Sequence, residues 1–136
     1  MLKSKSVIEG RFTNRVDNRR GHEILSDLGP ELQGENKGAT PLEFVVMAVA
    51  SCTTTIFKML AQKMNVSLEA VEAYSEADKP EPMASITAVR TTVQVKTDAP
   101  EDQLQRVLEQ VKKNCPVGVI LQRADIPHEY SIEKIS

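Results

Sequence analysis

A chain of 136 residues, 40% hydrophobic and 26% charged, has the size and balance of one globular domain spanning residues 1–136. Aromatics make up 4% and tryptophan is absent, so the core must be built from Val, Ile, Leu, Met and Ala. A net charge of −2 argues against a nucleic-acid partner, and the local basic cluster Arg11, Arg15, Arg19 and Arg20 is diluted by Glu9, Asp17 and Glu23.

The opening segment, Met1 to Gly10, lacks the apolar stretch of a signal peptide. The longest unbroken apolar run, Phe44 to Ala50, falls far short of a membrane span. The expectation is a cytoplasmic protein with no membrane partner. Residues 5–16, with Val7, Ile8, Phe12 and Val16 among polar neighbours, read as a strand of imperfect alternation. Asp17-Asn-Arg-Arg-Gly21 is a turn, and residues 22–26 return as a second strand to make a hairpin. Gly29, Pro30, Gly34, Asn36 and Gly38 mark residues 27–40 as a loop.

Thr40-Pro-Leu-Glu43 then announces a helix. Thr40 is the N-cap, Pro41 the first helical residue, and Glu43 the reciprocal partner of a capping box. The helix should run to about Met64. Its first half is apolar on every side, as in a core helix. Its second half turns Lys58, Gln62 and Lys63 to water. Period-two patterning predicts a half-exposed strand over 69–77. Lys79-Pro-Glu-Pro is a turn, and a further strand over 84–97 buries Ile86, Ala88, Val93 and Val95. Ile86 and Val93 differ in parity, which predicts a bulge or twist between them. Asp98-Ala-Pro-Glu-Asp opens a second helix with the stripe Leu104, Val107, Leu108 and Val111, ending near Asn114. Cys115-Pro116 starts a shorter helix to about Arg123, with Cys115 at its N-cap. A strand over 129–135 closes the chain. Strands and helices do not alternate strictly, so the class is α+β rather than doubly wound α/β. The apolar helix is more hydrophobic than one small sheet can cover, and a homodimer would bury it.

The two cysteines carry the chemical interest. In a reducing compartment such a pair is free, catalytic or redox-sensing rather than a permanent staple. Metal binding is not expected: there is no Cys-x-x-Cys, and His22 and His128 are isolated and read as surface or structural residues. No cofactor is implied. Cys115, at a helix N-terminus, should be favoured as thiolate by the dipole and by unpaired N–H groups. Cys52 is in mid-helix and needs a nearby cation or donor to ionise. Thr53, Thr54 and Thr55 bring hydroxyls that are candidates to line a pocket. If folding brings the sulfurs together they can form a redox couple; otherwise both are buried small hydrophobes.

The run Gly38-Ala-Thr-Pro-Leu-Glu-Phe-Val-Val-Met-Ala-Val-Ala-Ser-Cys-Thr, followed by a helix, two strands and Lys113-Asn-Cys-Pro-Val, resembles the OsmC/Ohr family, in its Pro-Leu-Glu branch. The resemblance implies an α+β, OsmC-like fold. Two central helices pack against antiparallel sheets in an intertwined homodimer, with the active sites at its interface. It implies thiol-dependent reduction of organic hydroperoxides, with a dithiol reductant such as a lipoylated protein. Cys52 matches the peroxidatic cysteine and Cys115 the resolving one. The family's activating arginine is best matched by Arg11 in Glu9-Gly-Arg, with Arg15 as alternative. The family's glutamate lies ten residues before the reactive cysteine, where this chain has Leu42; Glu43 follows it. At about 100° per residue, Glu43 lies about 180° around the helix from Cys52, which favours its capping role. Two other readings remain, a small-ligand-binding protein without peroxidase activity and a redox sensor.

Overall fold

Three four-residue strands open the chain: β1 (Lys5–Ile8), β2 (Asn14–Asp17) and β3 (Glu23–Ser26), antiparallel in the order β1-β2-β3. They belong to a computed structural model that describes residues 1–136 as two compact units, Met1–Val45 and Val46–Ser136. The single strand expected over 5–16 is therefore two strands. Between them the chain reverses: the Glu9 and Gly10 amides both donate to the Thr13 carbonyl, at 2.8 and 3.2 Å. The Asn14 side chain seals the turn by donating to the Phe12 carbonyl at 3.1 Å. The predicted 17–21 turn is present. Asp17 and Asn18 carboxyl and amide oxygens accept the Arg19 and Arg20 amides at 2.7 and 2.9 Å.

The 27–40 loop holds one 3₁₀ turn, Pro30–Leu32. It is organised around Asp27, 1% exposed. The Thr13 hydroxyl and the Lys37 amide donate to its Oδ2 at 2.8 and 3.2 Å, and the Leu28 amide donates to Oδ1 at 2.8 Å. A side chain at Gly34 would collide with the Leu28 carbonyl, so this loop can close only over glycine. Helix α1 (Pro41–Lys63) begins with the predicted capping box. The Glu43 amide donates to Thr40 Oγ1 at 3.2 Å, and Glu43 Oε1 accepts the Thr40 amide at 3.1 Å.

In the second unit α1 is followed by β4 (Ala70–Asp78), β5 (Ala88–Lys96), α2 (Glu101–Asn114), α3 (Pro116–Arg123) and β6 (His128–Lys134). The sheet order is β4-β5-β6. The β4–β5 pair is antiparallel, joined by a short turn, whereas β5–β6 is parallel because α2 and α3 carry the chain back across the sheet. This sheet is thus mixed rather than wholly antiparallel. The expected bulge is absent. Pairing runs unbroken from Ala70↔Lys96 to Asp78↔Ala88, and Val89, Thr91, Val93 and Val95 all face inward. The buried residue at the position that seemed to break the alternation is a threonine. Ile86 is buried from the loop before the strand.

The core of this unit joins Phe57 and Ala61 of α1, Val93 and Val95 of β5, and Leu104, Val107, Leu108 and Val111 of α2. Each large apolar side chain so enclosed contributes about 1.5–3 kcal/mol. The α2 stripe is the one its sequence spacing predicts. Helix α1 buries only Val49, Thr53, Phe57 and Ala61, one row at steps of four. Val45, Met47 and Met59 stay exposed at 38, 55 and 51%. By length and composition this helix would qualify as a membrane span, at a mean hydropathy of 1.7, although its longest unbroken apolar run is short. Its Phe57 and Ala61, however, are enclosed in the protein core.

Candidate functional site

The two sulfurs meet. Cys115 Sγ lies 2.8 Å from Cys52 Sγ, and both cysteines are free thiols. A disulfide bond of about 2.05 Å needs only a small further approach. Cys52 sits on α1 beside the buried Thr53 row and is half-buried. Cys115 is fully buried, at the point where α2 ends and α3 begins. Its amide donates to the Val111 carbonyl, closing α2, and its carbonyl accepts the Val119 amide, opening α3, both at 2.9 Å. Pro116 makes that junction abrupt, since it has no N–H to continue α2 and fits the first turn of α3. The cysteine is fixed from both sides.

The ionisation expected of Cys115 does not follow. Burial pushes its thiol up to about 11, the neighbouring Cys52 adds to this, and the Gly118 and Val117 amides at the start of α3 only partly offset it. The helix terminus acts in the direction the sequence suggests, but desolvation is the larger effect.

Strand β6 supplies the wall beside the pair. His128, Tyr130 and Ile132 alternate onto the face that α2 and α3 cover, and in register Tyr130 pairs with Thr91. The Thr91 hydroxyl, 1% exposed, lies 2.8 Å from both His128 Nε2 and Ser75 Oγ. Burial lowers the His128 pKa to about 4, so the imidazole is neutral at pH 7. Its ring packs at 4.0 Å between centroids on Tyr130, whose phenol is pushed up by burial and by the two thiols. A groove of about 760 Å³ opens alongside, lined by Lys112, Gly118, Gln122, Asp125, His128 and Tyr130 among others. His128 is structural, as expected, yet it also borders this groove. The sequence did carry a signal for Tyr130: the period-two run His128-Glu-Tyr-Ser-Ile puts it on the inner face. The strand begins one residue before the expected Glu129, at His128, which brings the imidazole onto the same face.

The other expected residues fare differently. Glu43 is occupied in the cap of α1. Arg11 is exposed and takes part in no ion pair. Arg15 is held between Glu9 and Glu23, at 2.8 Å from each. The three threonine hydroxyls bond back to their own helix: Thr53 donates to the Val49 carbonyl at 2.7 Å, and Thr54 and Thr55 to the Ser51 carbonyl at 3.0 and 2.9 Å.

A family model described as OsmC-like protein matches residues 34–131. No curated protein matches the chain. Among solved structures the chain is similar to an OsmC-like protein from Mycoplasma pneumoniae, at 13% identity and a TM-score of 0.89, covering 100% of this chain and 98% of that one. It is similar to an organic hydroperoxide resistance protein OsmC from Legionella pneumophila, at 17% identity and a TM-score of 0.72, covering 98 and 96%. It is also similar to an organic hydroperoxide resistance protein from Elizabethkingia anophelis, at 14% identity and a TM-score of 0.76, covering 99 and 96%. At these identities the likeness is one of fold.

Proposed function

The chain belongs to the OsmC-like family, and from that premise we propose that it is a thiol-dependent peroxidase that reduces organic hydroperoxides through Cys52 and Cys115. The observation that carries this reading is the 2.8 Å separation of the two sulfurs. Relatives of the same fold named for organic hydroperoxide resistance support it. The Cys52 thiolate attacks the terminal, hydrogen-bearing oxygen of the hydroperoxide, the O–O bond breaks, and the alkoxide leaves and takes up a proton to become the alcohol. Cys52 becomes a sulfenic acid. The Cys115 thiolate then attacks the Cys52 sulfur, hydroxide leaves, and a disulfide forms. A dithiol reductant, such as a lipoylated protein, restores both thiols by exchange. By resemblance alone Arg11 is the proposed cation of the reaction; it is exposed and takes part in no ion pair. Glu43 serves that site through the helix start it caps. The exposed Val45, Met47 and Met59 of α1 are the apolar surface that a homodimer would cover.

The test is the mass of the protein after one equivalent of an alkyl hydroperoxide. Loss of two hydrogens, mapped to a Cys52–Cys115 link, with one equivalent of alcohol released, is expected. Cys52→Ser should reduce peroxide consumption to the uncatalysed rate. Wild-type protein that emerges with both thiols intact would sink the reading. A second reading, binding of a small ligand without turnover, draws on the groove beside the pair; there Cys52→Ser would leave affinity unchanged.

A further inference from the structure

We propose that the Tyr130 hydroxyl is the hydrogen-bond donor to the Cys115 sulfur, stabilising it as a thiolate when it closes the disulfide and when it leaves. The closing step rests on the peroxidase reading above; the leaving step concerns only the two thiols. The geometry converges at Gly118, in the first turn of α3. A Cβ placed there would lie 2.8 Å from Tyr130 Oη, 3.6 Å from Cys115 Cβ and 3.7 Å from Cys115 Sγ. The absence of a side chain at this one position therefore leaves the phenol oxygen and the sulfur bordering the same small gap, with the thiol itself hydrogen-bonded to Cys52. The Tyr130 hydroxyl has no hydrogen-bond partner elsewhere in the protein, whereas the neighbouring hydroxyls of Thr91, Ser75 and Ser131 are all engaged. The ring is fixed by the register Thr91↔Tyr130 and by its packing on His128.

Cys115 needs such a donor. A thiol held at about 11 is ionised to roughly one part in 10⁴ at pH 7, too little to resolve a sulfenic acid promptly. The same property makes it a poor leaving group. A hydrogen bond to the charged form favours that form. Cys52 is the accessible sulfur of the pair, so a reductant thiolate attacks it. The S–S bond breaks and Cys115 departs with the electron pair. Tyr130 donates a hydrogen bond to that thiolate and keeps its own proton, because the phenol is the weaker acid; solvent then returns a proton to the sulfur. The titratable groups around Cys115 are Cys52 from α1, His128 and Tyr130 from β6, and Lys112, Asp125 and Glu129 bordering the groove. Of these, Cys52 touches the sulfur, and Tyr130 shares with it the gap at Gly118.

The experiment avoids peroxide. Wild type and Tyr130→Phe are oxidised to the Cys52–Cys115 disulfide with diamide and reduced with dithiothreitol. Tyr130→Phe should be reduced about tenfold more slowly. In a Cys52→Ser background, the pH midpoint for alkylation of Cys115 by iodoacetamide should rise by about one unit when Tyr130 becomes Phe. An unchanged reduction rate, or a slower rate with an unchanged midpoint, would overturn the proposal. If Tyr130→Phe does not fold, Gly118→Ala, which crowds the phenol away from the sulfur, carries the same two measurements. Protein that exchanges as expected yet ignores alkyl hydroperoxide would sink the peroxidase reading and leave Tyr130 in place.

Discussion

Asp27 in the first unit and Cys115 in the second are both buried acids, and they are held in opposite states. Burial acts to raise the pKa of each. At Asp27 the Thr13 hydroxyl and the Leu28, Lys37 and Glu35 amides outweigh it, and the carboxyl is kept below the usual range. At Cys115 two amides do not, the neighbouring thiol adds to the rise, and the sulfur is kept protonated. What differs is the count and aim of the donors set against burial. One site is a charged keystone whose hydrogen bonds are complete. The other is a reactive group left short of donors, which is where chemistry can be controlled.

The same substitution in the two units would sharpen the contrast. Thr91→Val keeps shape but removes the shared partner of His128 Nε2 and Ser75 Oγ. It should cost about 2–3 kcal/mol, because two polar groups lose their partner inside the sheet–helix layer. Urea titration would measure it, and a loss well under 1 kcal/mol would show that water replaces both bonds. His128 gives the next largest effect. Its pKa in the folded protein, about 4, lies below the ordinary 6.5. Below pH 6.5 the unfolded chain therefore binds a proton that the folded one does not, and stability falls progressively as pH drops from about 6.5 to about 4. The full shift would be worth roughly 3 kcal/mol; for a half-buried ring screened by solvent we expect about 1–2. The measurement is Tm against pH for wild type and His128→Asn, with the slope in that window expected only in wild type.

Much of this contrast could be read beforehand, and the gaps have physical causes. The capping box at Thr40, the α2 stripe and the Cys115-Pro116 junction are local signals, each written within one or two turns of chain, and each appears where expected. The close approach of the sulfurs was a conditional of the sequence, since no local pattern sets the distance between residues so far apart. Thr91 misled the reading of β5 because a buried threonine satisfied by Ser75 and His128 looks, in sequence, like an exposed position. The Cys115 ionisation is not legible in the sequence, because the helix terminus is local while the desolvation opposing it is tertiary. The loop around Asp27 was read as a loop, but nothing short-range shows that its carboxylate gathers donors from Thr13 and from the Lys37 amide.

That gathering makes the smallest prediction the most discriminating. Thr13→Val removes one of the donors to Asp27 and leaves the Leu28 and Lys37 amides in place. The loss should be smaller than for Thr91→Val, a few degrees in Tm at neutral pH. Its signature is in acid. A carboxyl whose folded pKa is depressed contributes stability that is present above its unfolded value, near 3.8, and disappears as pH falls through the lower folded value. With one donor gone, the folded value moves back toward the unfolded one, and the contribution shrinks. Wild type and Thr13→Val should therefore converge in Tm as the pH falls through the folded value of Asp27, below 3.8, while the His128 effect is already complete. Curves that stay parallel down to that pH would mean that the Thr13 hydroxyl supports the loop by packing alone, and that the carboxylate is held charged by its amides without it.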